Sequence, residues 1–511
     1  MNYRPDAGKL LLWDTWMFVE PEGQRMHLFF LANEPGKDWQ WVGHAVSEDL
    51  VHWEELPAIA LKRPDDTYDV GTCLGTGMVF ASPNGGFMMS YTANLSGPVQ
   101  KIAFLHSTDL IHWDKKWQEP CIQAIPPYYE TDGTKCVCKD PAFRDAYVHR
   151  VGNHYEALIG AHAASGPTLL RGCIARYQST DSELRRWEAM PPIIGPGVST
   201  LMEVPEHFQI GSKHYLNWST GYWFGTACDT RSRRQCFGSF YAMSDSYEGP
   251  YRVPDDNLLI GSSQAVNSYV GRTIEWQGRR ILYHHMWWPS PSFALPKQLI
   301  QETDGTLKTV YWPGIEKIHT GEIALPLEQI AVQGENLHEG TWKSSGSTSL
   351  TGSIDKGGSL GLVPVDLDDV HLRCTVTAES GTRFGVTLRD PGHAKYRKEG
   401  VSKEIKGVAL QGDLRYGQWH FGTPEHSWAS RIDPNEVIMD APAIGKTYQL
   451  DLIVRDIYFE AYIDGVWKFT RVIKDKARRG RIGFFVEDGA ARFENIRAWA
   501  LEPMTHGFVD S

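Results

Sequence analysis

Three carboxylates sit in stretches where a solvated side chain has no reason to be. Asp14 lies in LLLWDTWMF, a single acid within an apolar and aromatic run. Asp140 lies in CVCKDPAF, between Lys139 and Pro141, and Glu203 lies in STLMEVPEHFQI, at the end of an apolar run with Pro205 following. Withdrawing an unpaired carboxylate from water is costly, so acids in such surroundings are paired, protonated or functional. Two carboxyl groups flanking a glycosidic bond, one with a raised pKa, are the minimum apparatus for hydrolysing it. A single acid of this kind commonly caps a turn or pairs with a local Arg or Lys. Three of them, each near the start of a different repeat, point to a shared site.

The elements that must bring these acids together are repeats. Ser47-Glu48-Asp49-Leu50-Val51-His52-Trp53 returns as Ser107-Thr108-Asp109-Leu110-Ile111-His112-Trp113. Each copy follows two strand-like runs, RMHLFFLANE with WQWVGHAVS and GGFMMSYTAN with QKIAFLHS. A degenerate third copy, CIARYQSTDSELRRW, ends at Trp187. A fourth, GSFYAMSDSYEGPY, keeps Ser244-Asp245 and has Tyr251 in place of the Trp; RTIEWQGRRILYHHMWW closes the series with Trp287-Trp288. Short β-rich runs separated by Gly, Asn and Asp turns read as small antiparallel sheets. Repetition at roughly sixty-residue intervals means each sheet buries its face against the next, as in a closed propeller. The expectation is an all-β chain: a five-bladed β-propeller over residues 1–330, its blades spanning about 8–325, with Asp49 and Asp109 as scaffold. From residue 335 to 511 the texture changes to a β-sandwich. Val370, Leu372, Cys374, Val376 and Ala378 alternate onto one face, and Asp464-Gly465 makes a hairpin turn.

Composition excludes several classes. A net charge of −11 argues against nucleic acid, whose phosphates need a basic patch. No run of 18 apolar residues appears, so no membrane span is expected, and the first residues lack the apolar core of a signal peptide. The reading is a cytoplasmic protein, or a secreted one whose leader is absent from this chain. Eight scattered Cys are no disulfide scaffold, and neither Cys-x-x-Cys nor His-Glu-x-x-His occurs, so neither a metal nor a cofactor is expected.

These segments together resemble glycoside hydrolase family 32, the invertase and fructanase group, over nearly the whole chain. HLFFLANEP with WVGHAVSEDLVHWEELPAIAL is similar to that family's first blade, and YDVGTCLGTGMVF to its Ser-Gly-Ser-Ala segment, with Gly75-Thr76-Gly77 in place. Lys139-Asp140-Pro141 resembles its Arg-Asp-Pro motif, MEVPEHF its Glu-Cys-Pro motif, and SFALPKQLIQETDGTLKTVYWPGIEKI its end-of-propeller segment. The resemblance implies a propeller plus sandwich and a retaining double displacement on a β-fructofuranoside or related furanoside. Asp14 would be nucleophile, Glu203 general acid/base and Asp140 transition-state stabiliser. Its partners would be an oligosaccharide or small glycoside, with oligomer formation left open.

The first motif departs from the family. Trp-Met-Asn-Asp-Pro-Asn-Gly is replaced by Leu12-Trp13-Asp14-Thr15-Trp16-Met17, so amides that would hold a fructosyl unit give way to bulk. Lys139 in place of Arg loses a bidentate donor. Trp13, Trp16, Trp39, Trp41, Asp69, Gly75, Thr76, Lys139, Trp223 and Trp287 are the substrate-binding candidates. Trp218, Tyr222 and Trp288 are further stacking platforms, and His284-His285 either line the pocket or belong to the core. Glu206, odd-spaced from Glu203, points away. The alternatives are an inverting arabinofuranosidase-like hydrolase, a fructosyl-type transferase and a non-catalytic carbohydrate-binding protein.

Overall fold

The computed structural model describes residues 2–6, 9–61, 74–93, 100–131, 142–221, 237–262, 268–287, 291–332, 340–391, 407–425, 431–438, 440–473 and 477–507. The chain divides into a unit ending at Ile315 and one beginning at Glu316. That boundary falls about fifteen residues before the expected 330. The reason is pairing: His319–Ile323 bonds the last strand, Ala490–Leu501, and Ala331–Val332 bonds Gly358–Leu367, so the connecting segment belongs to the second unit.

The first unit is five antiparallel sheets in chain order. Their innermost strands are Leu11–Val19, Gly75–Ala81, Phe143–Val151, Glu203–Ile210 and Tyr269–Trp276. Each neighbours the next, and the fifth neighbours the first, so the ring of blades closes. Closure leaves only short, protected sheet edges at the centre and buries each blade's apolar face on its neighbour. Met78 and Phe80 of the second blade, for instance, pack with Phe143, Val148 and Ile159 of the third.

The recurrent turn is architecture. In the first copy the Ser47 hydroxyl accepts from the N–H of Asp49 (3.1 Å) and Leu50 (2.8 Å), and Asp49 Oδ1 accepts from Val51 (3.0 Å) and His52 (2.9 Å). The second copy reproduces all four, from Asp109 (3.2 Å) and Leu110 (2.9 Å) to Ser107 and from Ile111 (2.9 Å) and His112 (2.8 Å) to Asp109. Leu50, Leu110 and Leu184 all take positive φ (68°, 66° and 59°), a conformation leucine adopts only when its surroundings impose it. Trp113 and Trp187 donate their indole N–H to the carbonyl of that leucine at 2.9 and 2.7 Å. The ring and backbone N–H of His112 hold the Asp109 carboxyl well below the usual carboxylate range.

The second unit contains two facing antiparallel sheets. One runs Val466–Val472, Tyr458–Ile463, Thr447–Arg455, Val370–Ala378, Ala490–Leu501, Leu350–Ser353, Thr341–Ser344. The other runs Ala331–Val332, Gly358–Leu367, Gly480–Glu487, Arg383–Asp390, Val408–Asp413, Gln418–Glu425, Arg431–Ile438. Val370, Leu372, Cys374, Val376 and Ala378 all enter the one core between them, against Phe384, Val386 and Phe484. Asp464 and Gly465, at φ 53° and 73°, form the expected tight hairpin.

Replacing both Asp49 and Asp109 with alanine removes two turn anchors worth about 1 kcal/mol each. The expected result is a drop of a few degrees in the propeller's unfolding midpoint, read by calorimetry, with the far-ultraviolet circular dichroism unchanged.

Candidate active site

Every innermost strand carries one extra residue at the same height. The register of pairing slips between Leu12 and Thr15, Gly75 and Gly77, Arg144 and Tyr147, Glu203 and Glu206, and Tyr269 and Arg272. A bulge of this kind breaks strand alternation and re-aims side chains. Three bulge residues take positive φ: Asp145 (65°), Val204 (47°) and Val270 (51°). For the two valines this is strained backbone, held by the surroundings. Pro205, with no N–H to leave unpaired, occupies a bulge position. Gly77 is required where it stands, because a Cβ there would lie 1.9 Å from the Ser90 carbonyl oxygen.

The bulges are stitched from blade to blade. The Thr92 hydroxyl accepts from Asp145 N–H (2.9 Å) and donates to the Thr76 carbonyl (3.3 Å). Asp145 Oδ2 accepts from Val204 N–H (3.1 Å), and the Ser239 hydroxyl accepts from Gly271 N–H (2.7 Å).

These bulges bring Asp14, Thr76, Arg144, Asp145, Glu203 and Tyr269 together from five blades. The Thr76 hydroxyl donates to Asp14 Oδ2. Arg144 donates to Glu203 Oε1 from Nη2 (2.7 Å) and Nε (3.2 Å), and the Tyr269 phenol donates to Glu203 Oε2. The Asp14 and Glu203 side chains remain 25% and 16% exposed, so both still face open space, whereas Asp145 is 3% exposed. His285 Nε2 stands 3.8 Å from Asp14 Oδ1, and burial drives this ring's pKa down to about 3, so it is neutral there.

Burial pushes the Asp14 carboxyl above its usual range, while the Thr76 hydroxyl and the Arg272 and Arg144 charges favour its ionised form. Asp145 is pushed up to about 8, first by burial and then by the neighbouring Glu203 and Asp14 charges, against the pull of Arg144. Arg272 is buried, donates from Nη1 to the Gly77 carbonyl at 2.7 Å, and has no hydrogen bond to Nε or Nη2 among the described residues.

Of the aromatic candidates, Trp13, Trp39 and Trp287 form a wall beside the acids. Trp13 meets Trp39 edge-on at 5.6 Å and Trp287 at 5.7 Å, and Trp287 stacks on Tyr269 at 6.0 Å. Trp41 is half-buried at the start of its strand and joins none of these ring contacts among the described residues.

The expectation for Trp16 is overturned. It is 1% exposed and lies in the core between the first two blades against Phe29, because the bulge at Trp13–Asp14 returns the strand to alternation and turns Trp16 inward. Trp218 is likewise core, and His284 is fully buried. Gly75 and Thr76 sit at the second blade's bulge as expected. Glu206 is outside the group, bonded by Thr273 N–H (2.9 Å) of the fifth blade and by Asn217 Nδ2 (3.0 Å).

Asp69, Lys139, Asp140, Tyr222, Trp223 and Trp288 lie outside the described residues. The acid of the third blade's bulge is Asp145. Phe143-Arg144-Asp145-Ala146 keeps two of three letters of an Arg-Asp-Pro motif, as Lys139-Asp140-Pro141 does, but keeps the Arg in place of the Pro. The signal that separates them is the strand run that follows directly after Asp145. Arg144 and Tyr269 were also missed; neither is unusual in its local sequence.

The sequence profile of the glycosyl hydrolases family 32 N-terminal domain matches residues 18–280, just over half of the chain. Sucrose-6-phosphate hydrolase of Escherichia coli is 29% identical over 223 residues, 40% of this chain and 41% of that protein. Sucrose:sucrose 1-fructosyltransferase of Festuca arundinacea is 28% identical over 198 residues, 36% and 27% of the two chains. The matched stretches thus span less than half the length of these relatives. The structure of sucrose-6-phosphate hydrolase from Lactobacillus gasseri superposes with a TM-score of 0.67 at 16% identity, covering 98% of this chain and 93% of that one, a likeness of fold. On the profile match, this chain belongs to glycosyl hydrolase family 32.

Proposed function

We propose that the protein hydrolyses a β-furanoside with retention of configuration, with Asp14 as nucleophile, Glu203 as general acid/base and Asp145 as the third carboxyl. The observation that carries this reading is two partly exposed carboxyls on different blades, each oriented by donors from a neighbouring blade, beside an aromatic wall. In the first step an Asp14 oxygen attacks the anomeric carbon while Glu203 gives its proton to the leaving oxygen; in the second Glu203 takes a proton from water. Thr76 fixes the attacking carboxylate, and Arg272 and Arg144 supply positive charge that favours the anion. Asp145, protonated near neutral pH, would offer an O–H to a ring hydroxyl.

The glycone side is where this chain departs from its family. Of the replacements after Leu12, Thr15 and Trp16 are buried and cannot reach a sugar, so Trp13 alone changes the wall. Its indole N–H already bonds Asn33 Oδ1, so it offers the substrate a surface and no donor. A furanosyl unit that needs fewer amide contacts, arabinofuranose or a modified fructose, fits this wall.

Three outcomes follow. Asp14→Asn should lower turnover at least roughly thousandfold with folding intact; unchanged function would instead mark a carbohydrate-binding protein. In a release assay over a panel of furanosides, arabinofuranosides or modified fructofuranosides should be cleaved, and action confined to sucrose and inulin would count against the altered glycone. The third is a linkage effect. Asp145 keeps its proton up to about pH 8 when folded but ionises near its ordinary value when unfolded, so its contribution to stability is present at acid pH and is lost as pH rises toward 8. The unfolding midpoint of Asp145→Asn, relative to wild type, should therefore rise between pH 5 and pH 8.

A further inference from the structure

Glu203 presents an asymmetric carboxyl. Its Oε1 receives two N–H groups from Arg144, at 2.7 and 3.2 Å, and a guanidinium has no acceptor to offer in return. Oε1 is therefore held by a charged pair of donors, and a proton on that oxygen would displace them and leave a buried charge unpaired. Among the described residues, Oε2 receives the Tyr269 phenol alone. The Arg144 side chain is itself held by Gln100 Oε1 (3.3 Å), which also takes Phe143 N–H (2.9 Å), so the guanidinium cannot readily swing away. Tyr269 is 5% exposed, stacked on Trp287 and packed edge-on against Phe237, so the phenol is equally fixed.

We propose that Tyr269 is a positioning residue for Glu203: with Arg144 closing Oε1, the phenol leaves one seat for the proton, the second lone pair of Oε2. This rests on the reading of Glu203 as general acid/base. When the glycosidic bond breaks, its electron pair stays on the leaving oxygen, the proton on Oε2 moves to that oxygen, and Oε2 becomes anionic while still accepting the Tyr269 O–H. That bond strengthens as charge builds on Oε2, so it favours the transition state over the bound substrate. In the second step the same seat takes the proton of the attacking water.

The test is Tyr269→Phe, which keeps the ring against Trp287 and removes only the hydroxyl. Two measurements separate the role from packing. The first compares kcat/KM, which reports the first step, on methyl and 4-nitrophenyl β-D-fructofuranoside. The alkyl leaving group needs the proton and the aryl one does not. The expected loss is roughly tenfold to hundredfold on the methyl glycoside and under about threefold on the aryl one. The second follows the Glu203 carboxyl by infrared titration, isolated by subtracting the Glu203→Gln spectrum. Its midpoint should rise by about one pH unit in Tyr269→Phe, because a donor to the anion is lost. An unchanged midpoint overturns the proposal whatever the kinetics. Equal losses on both glycosides overturn it too. A wild-type protein that cleaves neither glycoside removes plain fructose from the glycones this site takes. The same pair of leaving groups is then compared on the furanoside it does cleave, and the midpoint still decides the role of Tyr269.

Discussion

The site depends on one backbone constraint: a single extra residue in each of five inner strands, all at the same height. A regular strand would send alternate side chains into the packing between blades, as it does for Leu12 and Trp16. The inserted residue breaks that alternation over two positions, and those positions or their flanks carry Asp14, Thr76, Asp145, Glu203 and Tyr269. The strain at Val204 and Val270 is local, and the satisfied N–H groups at Asp145, Val204 and Gly271 offset it. Because each of these bonds crosses from one bulge to a neighbouring strand, the ring cannot relax at one blade without disturbing another.

Charge is managed by the same ring. Asp14, Asp145, Glu203 and Glu206 all lie on inner strands, and so do Arg144 and Arg272. Among these six groups, two guanidiniums meet four carboxyls, an excess of negative charge if every acid ionises. Burial settles the difference by pushing protons onto the most enclosed groups: Asp145 to about 8 and Glu206 to about 7, with Arg272 opposing the second. The more open pair, Asp14 and Glu203, is served by directed donors. Enclosure thus acts on Asp145 and Glu206, while Thr76, Arg144 and Tyr269 orient the two more open carboxyls.

The architecture was legible because it is written locally and repeatedly. Ser-x-Asp-Leu-x-His-Trp specifies its turn through bonds that span at most three residues, so any copy reveals it. Asp14 and Glu203 were legible because an acid in an apolar run is locally anomalous. Asp145 was not, since FRDAYV has a charged pair at its start and reads as an ordinary strand entrance. Asp140 and the proline that drew attention to it lie outside the described residues. Tyr269 and Arg144 were invisible for a different reason. Their partner is 66 and 59 residues away, and no periodicity within one blade encodes a contact to the next. Trp16 was singled out as a replacement within the first motif, and a motif does not show which side chains a bulged strand turns inward.

An amide stands behind the aromatic wall beside Asp14. Asn33, on the second strand of the first blade, lies directly behind Trp13 and takes its indole N–H, while its own Nδ2 bonds the carbonyls of Glu34 (3.1 Å) and Lys37 (2.7 Å). This amide ties down the turn that precedes Trp39. In front of it, Trp39, Trp13, Trp287 and Tyr269 touch in sequence, and the last of these holds Glu203. The wall beside Asp14 and the phenol bonded to Glu203 are therefore one packed aromatic chain. A change of ring size at Trp13 would shift Trp287 and, through the stack, the phenol on Oε2. In this chain Trp13 thus couples the surface beside Asp14 to the hydrogen bond on Glu203.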